Sequence, residues 1–323
     1  MQFPLGDRPI RIGILGMTEG NAHPFSWSAM INGYDRDEMY KWTHDLYPTI
    51  PVYLNREPES SFGIPGVRVT HVCFTGYEDR AMAENCAGAS KIEHVVTDPE
   101  EMIGEVDAVI CATDVGSEHV KRCGPFIKAG LPMFIDKPLC DSEEDLRTIV
   151  GWVDAGAHIM SSSSLRYKKS LEPYYARRHE LGKLRYIVSP MAKYWETYGM
   201  HALEAIFPLL GRGFEWVCNL GTREAAMVQL HHVSGCDVSI PMGFGFSSNG
   251  ITVMGQTGSL VLSDDDSFYS FKKQLDVFAR YLRTGEAGHP FEDTVEMAKI
   301  IIAGIRSRDG NGRRVYLSEI RER

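Results

Sequence analysis

Over its first 150 residues the chain alternates short apolar runs with amphipathic stretches. "IRIGILG" (10–16) reads as a buried strand ending in glycine, and the spacing of Trp27, Met30 and Ile31 predicts a helix closing near Gly33. "VRVTHVCF" (67–74), "DAVICAT" (107–113) and "PMFID" (132–136) have the density of further strands. Helices "EDRAMAENCAG" and "SEHVKRCGPFIKAG" separate them, with a short helix at "DPEEMIG". Residues 34–66, with prolines 48, 51, 58 and 65, read as an irregular inserted excursion. Such strand–helix alternation means a parallel sheet with right-handed crossovers. Ligands on these sheets bind beyond the carboxyl ends of the strands. That edge carries loops 16–21, 75–77, 113–117 and 136–137.

The second half changes character. A helix starts at Asp141 or Ser142, a strand follows around 158–161, and a helix lies near 168–181. Then come "RYIVSPMAKYW", "EWVCNL", "EAAMVQLHHV", "DVSIPMGFGF", "GITVMGQ" and "GSLVLS", joined by "GT", "SGCD" and "SNG". These predict antiparallel strands on tight turns. The acidic "SDDDS" at 263–267 reads as a solvated turn, and "FEDTVEMAKIIIAGIRSR" as a last amphipathic helix. The expected fold is therefore α/β: a doubly wound domain over 1–140, then an α+β domain over 141–323 with a large, mainly antiparallel, open-faced sheet. One face of such a sheet cannot stay apolar in water, which predicts a homodimer or homotetramer through it.

Composition narrows the partners. With 43% hydrophobic and 24% charged residues in 323, a large core is within reach. A formal net charge of −9 argues against nucleic acid or an anionic membrane as partner. The seven cysteines are scattered without a C-x-x-C, as in a protein with reduced thiols, and no Cys/His/Glu set has the spacing of a metal site. The N-terminal run lacks the design of a signal peptide and no window reaches a membrane span, so a cytoplasmic protein is expected.

The loop "GILGMTEGNAH" (13–23) falls where a dinucleotide fold places G-x-G-x-x-G. Gly16 and Gly20 are present, Thr18 stands at the middle glycine, and Met17, Thr18 and Asn21 complete the candidate phosphate loop. No acid ends the second strand at Thr75, which leaves NAD and NADP both open. His23, in "NAHP", borders that loop or caps the helix. His231 and His232 alternate across a strand and read as structural.

"VDAVICATDVGSEHVKRCGPFIKAGLPMFIDKPL" (106–139) resembles the third strand, Thr…His loop and Glu-Lys-Pro motif of the glucose–fructose oxidoreductase/inositol dehydrogenase (Gfo/Idh/MocA) family. Asp136 stands where that family has glutamate. "ETYGMHALE" is similar to its D-x-G-x-H-x-x-D: Gly199 and His201 match, Glu204 replaces the last acid and Thr197 the first. "SLRY" (164–167) resembles its Arg–aromatic pair. The resemblance covers nearly the whole chain except 34–66. It implies a Rossmann domain and a last helix, about 290–308, packing back toward it. It implies NAD or NADP at Gly16, Met17, Thr18, Gly20, Asn21, Thr75, Thr113, Asp114, His119, Asp136 and Lys137. It also implies a polyol or sugar-like substrate at Arg166, Tyr167, Glu196, Tyr198 and Glu204.

The chemistry agrees with these residue types. Oxidising a secondary alcohol needs a base for the hydroxyl proton, and an imidazole can serve near neutrality. An ammonium beside it stabilises the developing alkoxide. His201 is the expected base and Lys137 the group that orients the hydroxyl. The expected activity is an NAD(P)-dependent oxidoreductase of a sugar, sugar acid or cyclitol. Two competitors stay open: an enzyme that oxidises a sugar transiently with tightly held NAD, for glycosidic cleavage or epimerisation, and a non-catalytic NAD(P) sensor.

Overall fold

The computed structural model describes residues 3–18, 20–74, 80–245, 250–263 and 266–323. In chain order, the first part gives β1 (Ile10–Leu15), α1 (His23–Asn32), α2 (Arg36–Thr43), α3 (Thr49–Asn55), β2 (Val67–Cys73), α4 (Arg80–Ala89) and β3 (His94–Val95). It continues with β4 (Ala108–Cys111), α5 (His119–Lys128), β5 (Met133–Ile135), α6 (Glu143–Asp154) and β6 (Ile159–Met160). Next come α7 (Glu172–Arg177), β7 (Leu184–Val188), β8 (Met191–Ala192), α8 (Trp195–Leu210), β9 (Phe214–Gly221) and β10 (Ala225–His232). The chain closes with β11 (Cys236–Gly243), β12 (Gly250–Gly255), β13 (Ser259–Ser263), α9 (Ser267–Thr284), α10 (Phe291–Asp309) and β14 (Val315–Tyr316).

The chain forms two compact units. The first comprises 1–136, 152–161 and 271–288; the second comprises 137–151, 162–270 and 289–323. In the first, six parallel strands run in the order β3-β2-β1-β4-β5-β6. This is a doubly wound sheet whose strand order reverses beside β1, the position at which such folds bind nucleotides. Its central strands are apolar on both faces: Ile12, Ile14, Val109, Ile110 and Phe134 are all buried.

Asp107, just before β4, is 2% exposed. It accepts hydrogen bonds from the Arg11 N–H at 2.8 Å and from Arg8 at 2.9 Å. Burial pushes this carboxyl up, but Arg11 and Arg8 more than reverse it, so it titrates below the ordinary aspartate range. An acid with a depressed folded pKa contributes stability above its unfolded value, about 3.9, and loses that contribution as pH falls further. Asp107→Asn is therefore expected to lower the thermal midpoint at neutral pH and to flatten its decline from about pH 5 to pH 3. Parallel acid limbs in the two proteins, measured by calorimetry, would contradict this.

In the second unit the sheet order is β13-β12-β7-β11-β10-β9-β14, with β8 beside β11. Most pairs are antiparallel; β7 and β8 run parallel to β11. Register aligns Val217, Leu230, Val238, Ile187 and Val253 in one row across five strands, all fully buried. The adjacent row on the other face reads Trp216, His231, Asp237, Tyr186 and Met254. One face is thus core and the other mixed, as period-two alternation requires.

Two expectations need correction. Residues 34–66 contain helices α2 and α3 rather than irregular chain. The Asp35 carboxylate caps α2 by accepting from the Asp37 and Glu38 N–H groups. Pro48 and Pro51 fall at the N-cap and in the first turn of α3, where a missing N–H is harmless. Helix α9, 18 residues long and absent from the sequence reading, begins at Ser267, and Asp266 accepts from the Tyr269 N–H at its start. Asp264 and Asp265 lie outside the described residues. Within the second unit α10 packs on β9 and α8, where Gly304 meets the buried Trp195 ring. The part of α9 from Phe271 onward belongs to the first unit. Among the described residues no helix is long and apolar enough to cross a membrane.

Candidate functional site

The carboxyl edge of the parallel sheet is built by three loops that grip one another. Gly16 ends β1 in left-handed backbone, φ 80°, and a β-carbon there would stand 2.5 Å from Thr113 Cγ2. Only glycine allows this approach of the first loop to the loop after β4. Thr18 Oγ1 accepts the Asp114 N–H at 3.3 Å, and the Asn21 N–H closes a turn on the Thr18 carbonyl at 2.9 Å. Met17, Thr113 and Asp114 are buried at this edge, and Gly20 has φ 76°.

Asp136, after β5, is also buried. It accepts the Asn21 side-chain amide at 3.3 Å and faces His23 Nδ1 at 2.8 Å. The His23 ring in turn stacks on Trp27 with centroids 4.2 Å apart. Asn21 and Asp136 thus tie the loops together, and His23 joins them. His119, expected among the cofactor contacts, has no exposed surface and reaches the Thr113 carbonyl with Nε2 at 2.9 Å. That contact fixes the loop. Thr75 lies outside the described residues.

A dinucleotide fits this edge in an uncommon way. Helix N-termini usually present free N–H groups to the pyrophosphate. In α1 the His23 N–H donates to Asn21 Oδ1, Pro24 has none, and the Phe25 N–H turns to the Ala22 carbonyl. A pyrophosphate bound at this edge would therefore be left to the glycine-opened loop between β1 and α1, with α1 supplying its dipole.

The second unit assembles the candidate proton-transfer groups. Lys137 is 2% exposed, and its ammonium stands 5.0 Å from the centroid of the Tyr198 ring. His201, three residues on from Tyr198 along α8, meets the same ring edge-on at 4.9 Å. Lysine and histidine, 64 residues apart in sequence, converge on one aromatic side chain.

His201 is held from behind. Its Nδ1 lies 2.5 Å from Ser163 Oγ, which also accepts the Leu165 N–H at 3.1 Å. The Ser163 N–H donates to Glu204 Oε1 at 2.9 Å, and the other Glu204 oxygen accepts from Arg166 Nε. Glu204 and Arg166 are both buried, so these two expected substrate contacts are each other's partners. Burial pulls the Arg166 guanidinium down, and the Glu204 carboxylate more than restores it. Tyr167 is buried beside them, its carbonyl accepting from Ser270 Oγ at 3.4 Å. Glu196 turns to Arg308 at 2.6 Å, because the first turn of α8 faces α10. Among the five expected substrate residues, Tyr198 stands beside both Lys137 and His201. Ser163 carried no sequence signal: its role depends on a partner 38 residues away.

No protein-family model and no curated protein matches the sequence. Solved structures do. A myo-inositol 2-dehydrogenase from Lactobacillus plantarum superposes with a TM-score of 0.75 at 14% identity, over 96% of this chain and 99% of that one. The chain has the fold of the inositol dehydrogenases. A scyllo-inositol dehydrogenase from Lactobacillus casei, with bound NAD(H) and scyllo-inositol, gives 0.74 at 13% identity over 96% and 100% of the two chains. A probable dehydrogenase from Thermotoga maritima gives 0.73 at 16% identity over 97% and 100%. The inositol-dehydrogenase fold therefore spans both units, including the doubly wound sheet and the large mainly antiparallel one.

Proposed function

We propose that the protein is a nicotinamide-dependent oxidoreductase of the Gfo/Idh/MocA family, acting on a secondary hydroxyl or keto group of a sugar, sugar acid or cyclitol. The observation that carries this reading is the convergence of Lys137 and His201 on Tyr198, with His201 oriented by Ser163. NAD, bound in the scyllo-inositol dehydrogenase structure, is the first cofactor to test, with NADP second.

The loop opened by Gly16, with Met17, Thr18 and Gly20, would hold the pyrophosphate, with Thr113 and Asp114 beside it. The nicotinamide supplies the hydride acceptor when bound. For His201 to take the substrate's hydroxyl proton at Nε2, its Nδ1–H must donate to Ser163 Oγ, the contact seen at 2.5 Å. The Lys137 ammonium donates to the same hydroxyl oxygen and stabilises the alkoxide as the proton leaves. The carbon then gives up its hydride and becomes a carbonyl; reduction reverses each step.

The test is absorbance at the reduced-nicotinamide band with NAD or NADP, against sugars, sugar acids and cyclitols. Reduction by at least one substrate is expected. No reduction with any of them, by protein shown to be folded, would sink the reading.

The mixed face of the second unit's sheet exposes Leu220, Met227, Met254, Val261 and Tyr316. Apolar groups on a sheet face of this extent call for a partner, and a second copy offers a matching face. A dimer or tetramer is expected in sedimentation velocity, with Met227→Glu shifting it toward monomer. A monomer at micromolar concentration would contradict this.

A further inference from the structure

At the amino ends of β1 and β2, the edge of the parallel sheet opposite the candidate cofactor loops, lies a cavity of about 680 Å³. Its volume is that of a small-molecule site, and every residue lining it belongs to the first unit. Ile31 of α1, with Phe62 and Ile64 of the loop before β2, gives it apolar walls. That loop belongs to the segment 34–66, which the family resemblance leaves out. Three cationic side chains, Arg11, Arg68 and Lys272, line it as well, and no carboxylate stands among the described lining residues.

Arg11 and Arg68 are partners in register across the parallel strands β1 and β2, both on the exposed side of those strands. Like charges directly opposite one another repel. Each has its own acid: Arg11 donates to Asp107 through Nε at 3.2 Å and Nη2 at 3.4 Å, and Arg68 Nη2 stands 3.6 Å from Glu93. Lys272 holds Asp276 at 2.6 Å. The charges are therefore paired, and what the cavity offers is donors. Nη1 of Arg11, and Nε and Nη1 of Arg68, make no hydrogen bond among the described residues. The group that accepts from two guanidiniums at once is an oxyanion. The apolar walls leave room for a body attached to it.

We propose that this cavity binds a small organic anion, its carboxylate or phosphate bridging Arg11 and Arg68 and its apolar body lying against Ile31, Phe62 and Ile64. The site is separate from the candidate cofactor edge and does not depend on the oxidoreductase reading.

Calorimetric titration of the whole protein, with and without NAD, compares phenyl phosphate, benzoate, inorganic phosphate and benzyl alcohol. Phenyl phosphate or benzoate is expected to bind with Kd below about 1 mM, and whichever is tighter names the head group. The neutral alcohol and inorganic phosphate should each bind at least about tenfold more weakly, one lacking the charge and the other the apolar body. NAD should leave these affinities unchanged, which separates the cavity from a phosphate site at the other edge. Arg68 is 53% exposed, so Arg68→Gln should keep the fold while weakening the organic anion at least about tenfold. Glu93→Gln, which releases Arg68 from its acid, should tighten binding. No binding of either organic anion, equal binding of benzyl alcohol or of inorganic phosphate, displacement by NAD, or an affinity that Arg68→Gln leaves intact would each overturn the proposal.

Discussion

Lys137→Ala is expected to lower kcat/KM by about 10³-fold, with the loss mainly in kcat. The ammonium is buried against Tyr198, beside His201, so its charge acts where water does not screen it. A group that stabilises an alkoxide does little for the neutral alcohol, so binding should change less than turnover. Lys137→Arg keeps the charge but spreads it over a planar fork, and should recover little. His201→Ala should cost about 10²–10⁴-fold, and the residual rate should climb with pH as hydroxide replaces the missing base. Ser163→Ala leaves the imidazole in place without its Nδ1 partner and should give a smaller loss. A Lys137→Ala protein with kcat within a few-fold of wild type would exclude lysine from the chemical step. Calorimetry on each variant separates lost chemistry from lost folding.

Arg166→Met is expected to destabilise the protein by about 3–5 kcal/mol. Glu204 is 1% exposed, and the substitution leaves its carboxylate buried with only the Ser163 N–H to satisfy it. The double variant Arg166→Met, Glu204→Leu should be much closer to wild type, since an apolar pair needs no counter-ion. It should still be slow in turnover: without Glu204 the Ser163 backbone is unanchored, and with it the partner of His201 Nδ1. Denaturant midpoints check the first part. If Arg166→Met unfolds at the wild-type midpoint, the buried pair is not holding this region together.

Much of the fold was legible because its signals are local. The strands around Ile12, Val109 and Phe134 are continuous apolar runs, and the second half alternates apolar and polar residues between glycine-bearing turns. Prolines misled the reading of 34–66, because Pro48 and Pro51 occupy the start of α3, the one place where a helix accepts them. The helix α9 was readable from Phe268, Phe271, Leu275, Phe278 and Leu282, but an acidic run reads as a turn unless it is also seen as a cap.

The candidate site divided along the same line. Lys137 and His201 sit in recognisable motifs, and the structure shows them meeting at Tyr198. Arg166, Glu204 and Glu196 are polar residues within the same motifs, yet each has an internal partner that no local pattern reveals. Ser163 had no motif, because its contact with His201 is made across the fold.

The central claim is hydride transfer between a carbon-bound alcohol and a nicotinamide ring. It is tested most directly with a substrate deuterated at the reacting carbon and mass spectrometry of the nicotinamide after one turnover. The account predicts that the reduced nicotinamide carries the deuterium, and that Lys137→Ala and His201→Ala greatly slow its appearance. Reduced nicotinamide without the label, or none formed from any member of the panel, would contradict it.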